Sequence, residues 1–324
     1  MKKNIKDTII ITLLALGIIL PALASNVEIE SAKQTYDAAN NSTKFTGNVK
    51  VKMDDITIKS PTADIKMNSE GKLDVATFKP NAYAIKDNGV NQHELKANTM
   101  SLSLLAKKMK AIGNTTSIFS EKRKPMVTVH ADSQEFDIKT NLMKAIGNVK
   151  IDYKDVKASS NEAQVTVDSK GNVKKVKLIG NGVIIQDPNV IKADNFLYNP
   201  VSNDIVATGN TYTKAKLEDG EVVDIYANYQ QMDRISNTFM ASGKVKIVYQ
   251  DYVAVGPKAT FFPDKKTKKP NEIVFYGRTK IKEGDKEVEA DKIVITMNPK
   301  NFTAEGNVKT SFANVKGLDS SVEE

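Results

Sequence analysis

Few side chains in this sequence are of a type that carries out reactions or holds metals. The chain of 324 residues has no cysteine and only two histidines, His93 and His130. The absence of cysteine excludes disulfide frameworks, thiol nucleophiles and cysteine-based zinc sites. Neither histidine stands at a metal-ligand spacing or beside a candidate nucleophile, so both are interpreted as surface or strand-edge residues. The sequence therefore predicts a protein that is not an enzyme and has no cofactor and no metal site.

Three aspartates recur in a similar context, each directly after an alanine. They are Asp132, Asp194 and Asp291. Paired carboxylates can act as general acid and base, but these three return at repeat positions rather than in one cluster. They are interpreted as structural residues of a turn or a bend.

Basic residues give the chain a net charge of +8 and gather in three clusters, at 107–110, 122–124 and 265–269. A surplus of this size suits an anionic partner, but solvated surface turns account for it equally well. Contact with the phosphates of a lipid head group is the functional alternative. Nucleic acid is not predicted as a partner, because no aromatic residues are interleaved with the lysines.

The N-terminus has the pattern of an export signal. A basic start is followed by the apolar run 9–20, and Ala22-Leu23-Ala24 has the small residues of a cleavage site. The apolar run is shorter than the roughly 20 residues of a membrane span. Residues 1–24 are therefore predicted to be a cleaved signal peptide that directs the protein to the periplasm. An uncleaved inner-membrane anchor is the alternative.

A short phrase with a central glycine recurs along the rest of the chain. The central positions are 29 to 34 residues apart: 47, 80, 113, 147, 180, 209, 243, 277 and 306, with Pro80 in place of glycine in the second. Between these phrases stands a second one, in which an apolar residue precedes a small–polar pair, as at 129–136. Turn residues separate the phrases. Such a period predicts about nine stacked units of two strands each.

Within each phrase the apolar residues alternate with polar ones. In AIGNVKIDY (145–153), Ala145, Gly147 and Val149 are expected on one face and Lys150 on the other. This period of two predicts antiparallel sheet with one apolar and one wet face. Glycine weakens a strand but permits a sharp bend. The glycines are therefore expected to form a column on the apolar face, where the sheet creases into a trough.

The phrases resemble those of the OstA-like family of lipopolysaccharide-transport proteins, which includes LptA and LptC. The residues that carry the resemblance are the Gly-Asn-Val triplets at 47–49, 147–149 and 306–308 and the Ala-Asp pairs at 131–132, 193–194 and 290–291. The resemblance implies an all-β fold, an elongated creased antiparallel β-sandwich (the OstA-like β-jellyroll or β-taco). It also implies a groove for the acyl chains of lipopolysaccharide and protomers that stack head to tail as a homo-oligomer.

On this resemblance the chain is expected to be a bridge protein that carries lipopolysaccharide from the inner to the outer membrane. Its expected partners are lipopolysaccharide, through its lipid A acyl chains, and the transport components of both membranes. An anchored, LptC-like lipid acceptor and a structural β-repeat protein with a closed core are the alternatives. The candidate lipid-binding positions are Val49, Val51, Val149, Ile151, Val245, Ile247 and Val308.

The expected β-repeat array spans residues 25–312, and residues 313–324 form an acidic tail. The segment 114–126 reads as a long basic connection. Two subdomains, or two merged family members, are expected to meet near it.

Overall fold

The computed structural model describes residues 27–313, apart from 54–55, 88, 104, 138, 168–172, 217–219, 265, 268–269 and 298. The predicted signal peptide, residues 1–24, and the predicted tail beyond Ala313 lie outside the described residues.

The described chain is all-β, as predicted, and contains strands and turns without a helix. The strands are β1 (Val27–Glu30), β2 (Lys33–Asp37), β3 (Ser42–Met53), β4 (Ile56–Met67), β5 (Leu73–Lys79), β6 (Ala82–Asp87), β7 (Asn91–Ala97), β8 (Thr99–Ser103), β9 (Lys108–Glu121), β10 (Lys124–Asp137), β11 (Leu142–Tyr153), β12 (Val156–Val167), β13 (Val173–Gln186), β14 (Asn189–Asn199), β15 (Asp204–Lys216), β16 (Val222–Asp233), β17 (Thr238–Tyr249), β18 (Tyr252–Pro263), β19 (Pro270–Glu283), β20 (Lys286–Met297), β21 (Lys300–Glu305) and β22 (Lys309–Phe312).

Successive strands form antiparallel hairpins, such as β3 with β4 and β11 with β12. Four strands are each split into two consecutive pieces that pair with the same neighbour. For example, β5 and β6 both pair with β4, and Pro80 lies at the break between them. Counting each split strand once, the 22 described strands amount to 18, or nine two-strand repeats. The predicted repeat number is confirmed, and Pro80 occupies a glycine position as expected.

The chain divides into two compact units. The first comprises the described residues up to Gln186 together with 197–201, and the second comprises 187–196 together with the described residues from 202 onward. The segment 114–126, predicted to be a connection, instead lies within β9, β10 and their turn inside the first unit. The prediction of a connection was wrong because three of its turn-like residues, Thr115, Ser117 and Ser120, are themselves buried positions of β9.

Each unit has its own apolar core. In the first unit the core is built around large buried side chains that include Phe78 and Met100. In the second unit it includes Phe275 and Ile293. The first core takes its buried residues from the consecutive strands β3 to β10 and the second from β16 to β20, because alternate side chains of each strand point to the same face.

Among the described residues, no helix is long and apolar enough to cross a membrane.

Candidate functional site

Six of the glycine phrases form a β-bulge of the same kind. In the case of Gly147, two residues of β11, Gly147 and Asn148, lie opposite a single residue of β12, Asn161. The φ angles of the two bulge residues are 78° and 47°, in the left-handed region that glycine and asparagine tolerate best. A bulge bends its strand and increases the local twist. The same two-against-one shift occurs at Gly47, Gly113, Gly209, Gly243 and Gly277.

The recurring aspartates lie directly against these bulges. Asp132 accepts a hydrogen bond of 2.9 Å from Nδ2 of Asn148, and its carboxylate lies over Gly147, where a Cβ would overlap it. The pair Asp194 and Asn210 repeats this bond at 3.1 Å. The pair Asp291 and Asn307 repeats it at 2.6 Å. The interpretation of the aspartates as structural residues of a bend is therefore consistent with their contacts.

The glycines lie on the opposite face from the one predicted. Ala145, Val149 and Ile151 are buried, as the alternation indicated, but Gly147 is half-exposed and Gly47 is exposed. The extra residue of the bulge shifts the alternation, so that three residues instead of one separate the buried Ala145 from the buried Val149. The expected glycine column on the apolar face is thus wrong. Six of the glycines lie beneath an aspartate or asparagine side chain, whereas Gly47 lies against Ala32 and Gly277 against Pro257.

Six of the seven candidate lipid-binding residues lie in the apolar interior of the sheet. They are at most 5% exposed: Val49, Val51, Val149, Ile151, Val245 and Ile247. The seventh, Val308, is 51% exposed and follows the last glycine phrase, between β21 and β22. The lysines that alternate with them, such as Lys246, are exposed. These six residues therefore belong to the buried, mainly aliphatic faces of their strands.

The interior of the first unit contains a cavity of about 40 Å³. Pockets that enclose small molecules usually measure about 300–1,000 Å³. The cavity is therefore large enough for a few water molecules but not for an acyl chain. A chain-like ligand has to displace core side chains or move apart the strands that line the cavity.

Sequence reasoning missed two buried polar networks, one in each unit. In the first, Ser117 donates a 2.5 Å hydrogen bond to Oε1 of Gln134, whose amide donates to Oγ1 of Thr115 at 3.1 Å. In the second, Thr213 donates to Oε1 of Gln230, and the Gln230 amide donates to a backbone oxygen at 3.1 Å. The glutamines stand in equivalent strand positions, two residues after Asp132 and Asn228 respectively. That shared offset is the signal that would have revealed them.

His93 is buried, which contradicts its interpretation as a surface or strand-edge residue. Its side chain is 5% exposed, and burial lowers its pKa to about 4. The alternation of β7 explains its position, because His93, Leu95 and Ala97 all point to the interior. His130, in contrast, is exposed and its Nδ1 lies 3.0 Å from the hydroxyl of Thr116.

The outer face is charged, and much of its charge is paired across strands. Within the basic cluster 107–110, Lys110 contacts Glu135 at 2.6 Å and Lys108 contacts Asp137 at 3.5 Å. The cluster 122–124 forms the turn between β9 and β10. Three lysines of the cluster 265–269 lie outside the described residues. In the part of the chain that is described, no group of acidic or histidine side chains is arranged to hold a metal ion.

In the comparison with known proteins, one part of this chain matches a known protein family. Residues 28–124 match the sequence model of the family described as LptA/(LptD N-terminal domain) LPS transport protein. The match covers β1 to β9 and the start of β10, which is less than a third of the chain. Curated proteins gave no match.

Among solved structures, the chain is similar to LptH of Pseudomonas aeruginosa, described as the LptA homologous periplasmic component of the conserved lipopolysaccharide transport device. The two sequences are 14% identical, and the TM-score is 0.33. The similar region covers 37% of this chain and 82% of LptH.

Proposed function

We propose that this protein is a lipid carrier of lipopolysaccharide transport, which holds acyl chains between the walls of its creased sheet. The match of residues 28–124 to the LptA/(LptD N-terminal domain) family is the observation that carries the proposal. The matched segment contains two of the candidate residues, Val49 and Val51, both buried. The same alternation continues through the second unit at Val245 and Ile247.

The physical basis is the cost of exposing acyl chains to water. Each methylene group that leaves water gains about 0.8 kcal/mol, so a lipid with several chains needs an apolar path that extends from strand to strand. The six buried aliphatic residues belong to such a path within each unit. Because the present cavity is small, we propose that the walls separate at the glycine bulges when lipid enters, since a bulge interrupts the hydrogen-bonded ladder.

The proposed location is the periplasm, reached through a cleaved signal peptide, and the proposed direction is from the inner to the outer membrane. The described edge strands support contact with other components. Strands β1 and β2 pair with β3, and β21 and β22 pair with β20. Strand addition at such an edge joins protein partners or like protomers through backbone hydrogen bonds.

A second candidate is a structural β-repeat protein with a closed core. The small volume of the cavity favours this alternative. In that case the buried aliphatic residues only stabilise the fold and never contact lipid. The two functions differ in one measurable respect, which is access of lipid to the interior.

Site-specific photo-crosslinking in cells that make lipopolysaccharide tests the proposal. A photoreactive residue at Val51 or Val245 is expected to form an adduct with lipopolysaccharide. The neighbouring lysines on the wet face, Lys52 and Lys246, serve as matched controls and are expected to form none.

Adducts at the valines alone would support an interior that opens to lipid. If folded protein gives no adduct at any of these positions, the closed structural array is correct and the carrier function is not. Adducts at the lysines alone would indicate that lipid coats the outside, which also contradicts the proposal.

A further inference from the structure

The buried imidazole of His93 has no hydrogen-bond partner among the described residues. Both of its ring nitrogens, Nδ1 and Nε2, lie in the interior without one. A buried polar group left unpaired costs about 1–3 kcal/mol. In a strand that otherwise places Leu95 and Ala97 inward, an aliphatic residue at position 93 would avoid this cost. An imidazole at this position therefore points to a ligand that completes its hydrogen bonds.

His93 lines the 40 Å³ cavity of the first unit. Most of the other lining side chains are apolar and include Leu95, Met109 and Phe136. The remaining polar lining comes from Ser117, Gln134, Glu135 and Lys144. A group that enters the cavity thus meets one imidazole within a largely aliphatic wall.

The neighbouring polar groups of the cavity already have partners. The Ser117 hydroxyl donates to Gln134, and the Gln134 amide donates to Thr115. The charged residues that line the cavity are also paired, Glu135 with Lys110 at 2.6 Å and Lys144 with Glu162 at 4.0 Å. The imidazole is therefore the lining group whose buried polar atoms have no hydrogen-bond partner among the described residues.

The chemistry of the imidazole selects the kind of group that fits. Its low pKa of about 4 keeps the ring neutral at neutral pH, so one nitrogen donates and the other accepts. A neutral ring offers no charge to a carboxylate or a phosphate, whose burial without a counter-charge is costly. A hydroxyl group both donates and accepts, so it pairs with either nitrogen in either tautomer.

We propose that this cavity binds a hydroxyl group carried on an acyl chain, with His93 as the residue that recognises it. The inference rests on the proposed function, because the rest of the acyl chain needs the apolar interior. Ser117 and Gln134 hold the polar side of the cavity in place. His93 thereby distinguishes hydroxylated chains from unsubstituted chains of the same length.

Competition binding with the full chain tests this specificity. The probes are stearic acid and two stearic acids that carry one hydroxyl, near the carboxyl end or near the middle of the chain. Each displaces a fluorescent fatty acid from the protein. We expect one hydroxylated acid to bind about fivefold to tenfold more tightly than stearic acid, as one added hydrogen bond allows.

Two variants assign the preference to the cavity. His93→Phe is expected to bind all three acids with equal affinity, because the ring remains but its nitrogens are lost. His130→Phe alters the exposed histidine and is expected to keep the preference. In the unaltered protein, the preferred acid is expected to shift a ring-nitrogen NMR resonance of His93, and stearic acid is expected to leave it unchanged. These resonances decide the question even if His93→Phe does not fold.

The outcomes separate this inference from the proposed function. Equal binding of all three acids to the unaltered protein overturns the role of His93 and leaves the carrier function standing. If the ring-nitrogen resonances of His93 instead show hydrogen bonds in the ligand-free protein and stay unchanged with every acid, water occupies the cavity, and the role of His93 is also overturned. If stearic acid itself does not bind, the interior does not accept acyl chains. Both the carrier function and the role of His93 are then wrong.

Discussion

Asn148 and Asp132 are joined across adjacent strands by a hydrogen bond of 2.9 Å that closes over Gly147. The bond connects the two recurring phrases of the sequence, the Gly-Asn-Val triplet and the Ala-Asp pair. It lies outside the bend, so the space that glycine leaves is occupied by a carboxylate instead of by a ligand. The protein's own side chains therefore hold the bend in place. The apolar interior is formed by the residues on either side of the bend.

Replacement of Gly147 by alanine is expected to destabilise the first unit. The φ of 78° is unfavourable for alanine, and the added Cβ would overlap the carboxylate of Asp132. We expect a loss of about 1–3 kcal/mol in the free energy of unfolding, measured by urea denaturation.

Gly71→Ala is the matched control for this substitution. Gly71 has a similar φ of 73°, but no atom lies within 4 Å of its added Cβ. The difference in the free energy of unfolding between the two variants therefore measures the effect of the overlap with Asp132 alone. In the double variant Gly147→Ala with Asp132→Ala the overlap is absent, so this extra loss in the free energy of unfolding is expected to disappear. Equal losses at Gly147 and Gly71 would show that the carboxylate does not pack on the glycine.

The repeat, the all-β class and the buried aliphatic residues were predictable because they depend on local alternation. Val149 and Ile151 follow the period of two and lie inside, as expected. The face of Gly147 was not predictable in this way, since one extra residue in a bulge shifts the alternation and leaves no mark in the composition. His93 was misjudged because its polar side chain was given more weight than its alternation with Leu95 and Ala97, which places it inside. The cavity volume depends on the separation of the two walls, which no short pattern encodes.

Gln230→Ala is expected to cost about 1–3 kcal/mol of stability, because it leaves the buried hydroxyl of Thr213 without its acceptor. Urea denaturation again measures the change. Gln34→Ala on the exposed strand β2 is the control and is expected to stay within about 0.5 kcal/mol of the unaltered protein. If both substitutions have the same small effect, the polar network of the second unit does not stabilise the fold.

Ile151→Ala is expected to cost about 2–5 kcal/mol, because Ile151 is 3% exposed and its removal leaves a cavity. Ile235→Ala makes the same chemical change at a residue that is 73% exposed. The control is therefore expected to change stability by less than about 0.5 kcal/mol. A small loss at Ile151 would indicate that its wall is already loosely packed and open to a guest.

The buried His93 is expected to make stability depend on pH. Its pKa is lowered by burial to about 4 in the folded protein, from 6.5 for the exposed side chain. Between pH 6.5 and pH 4, His93 therefore binds a proton in the unfolded chain but not in the folded protein. The stabilisation is fully present above pH 6.5 and is lost as the pH falls toward 4, by about 3 kcal/mol in total.

Carboxylates titrate in the same range, so the decisive quantity is a difference between two proteins. His93→Gln keeps a polar side chain but removes the titration, and its stability is expected to fall less steeply between pH 6.5 and 4. His130→Gln, at the exposed histidine, is expected to follow the unaltered protein throughout this range. Parallel pH profiles for the unaltered protein and His93→Gln would mean that His93 is accessible to protons in the folded state. The interior around β7 would then already be open to water.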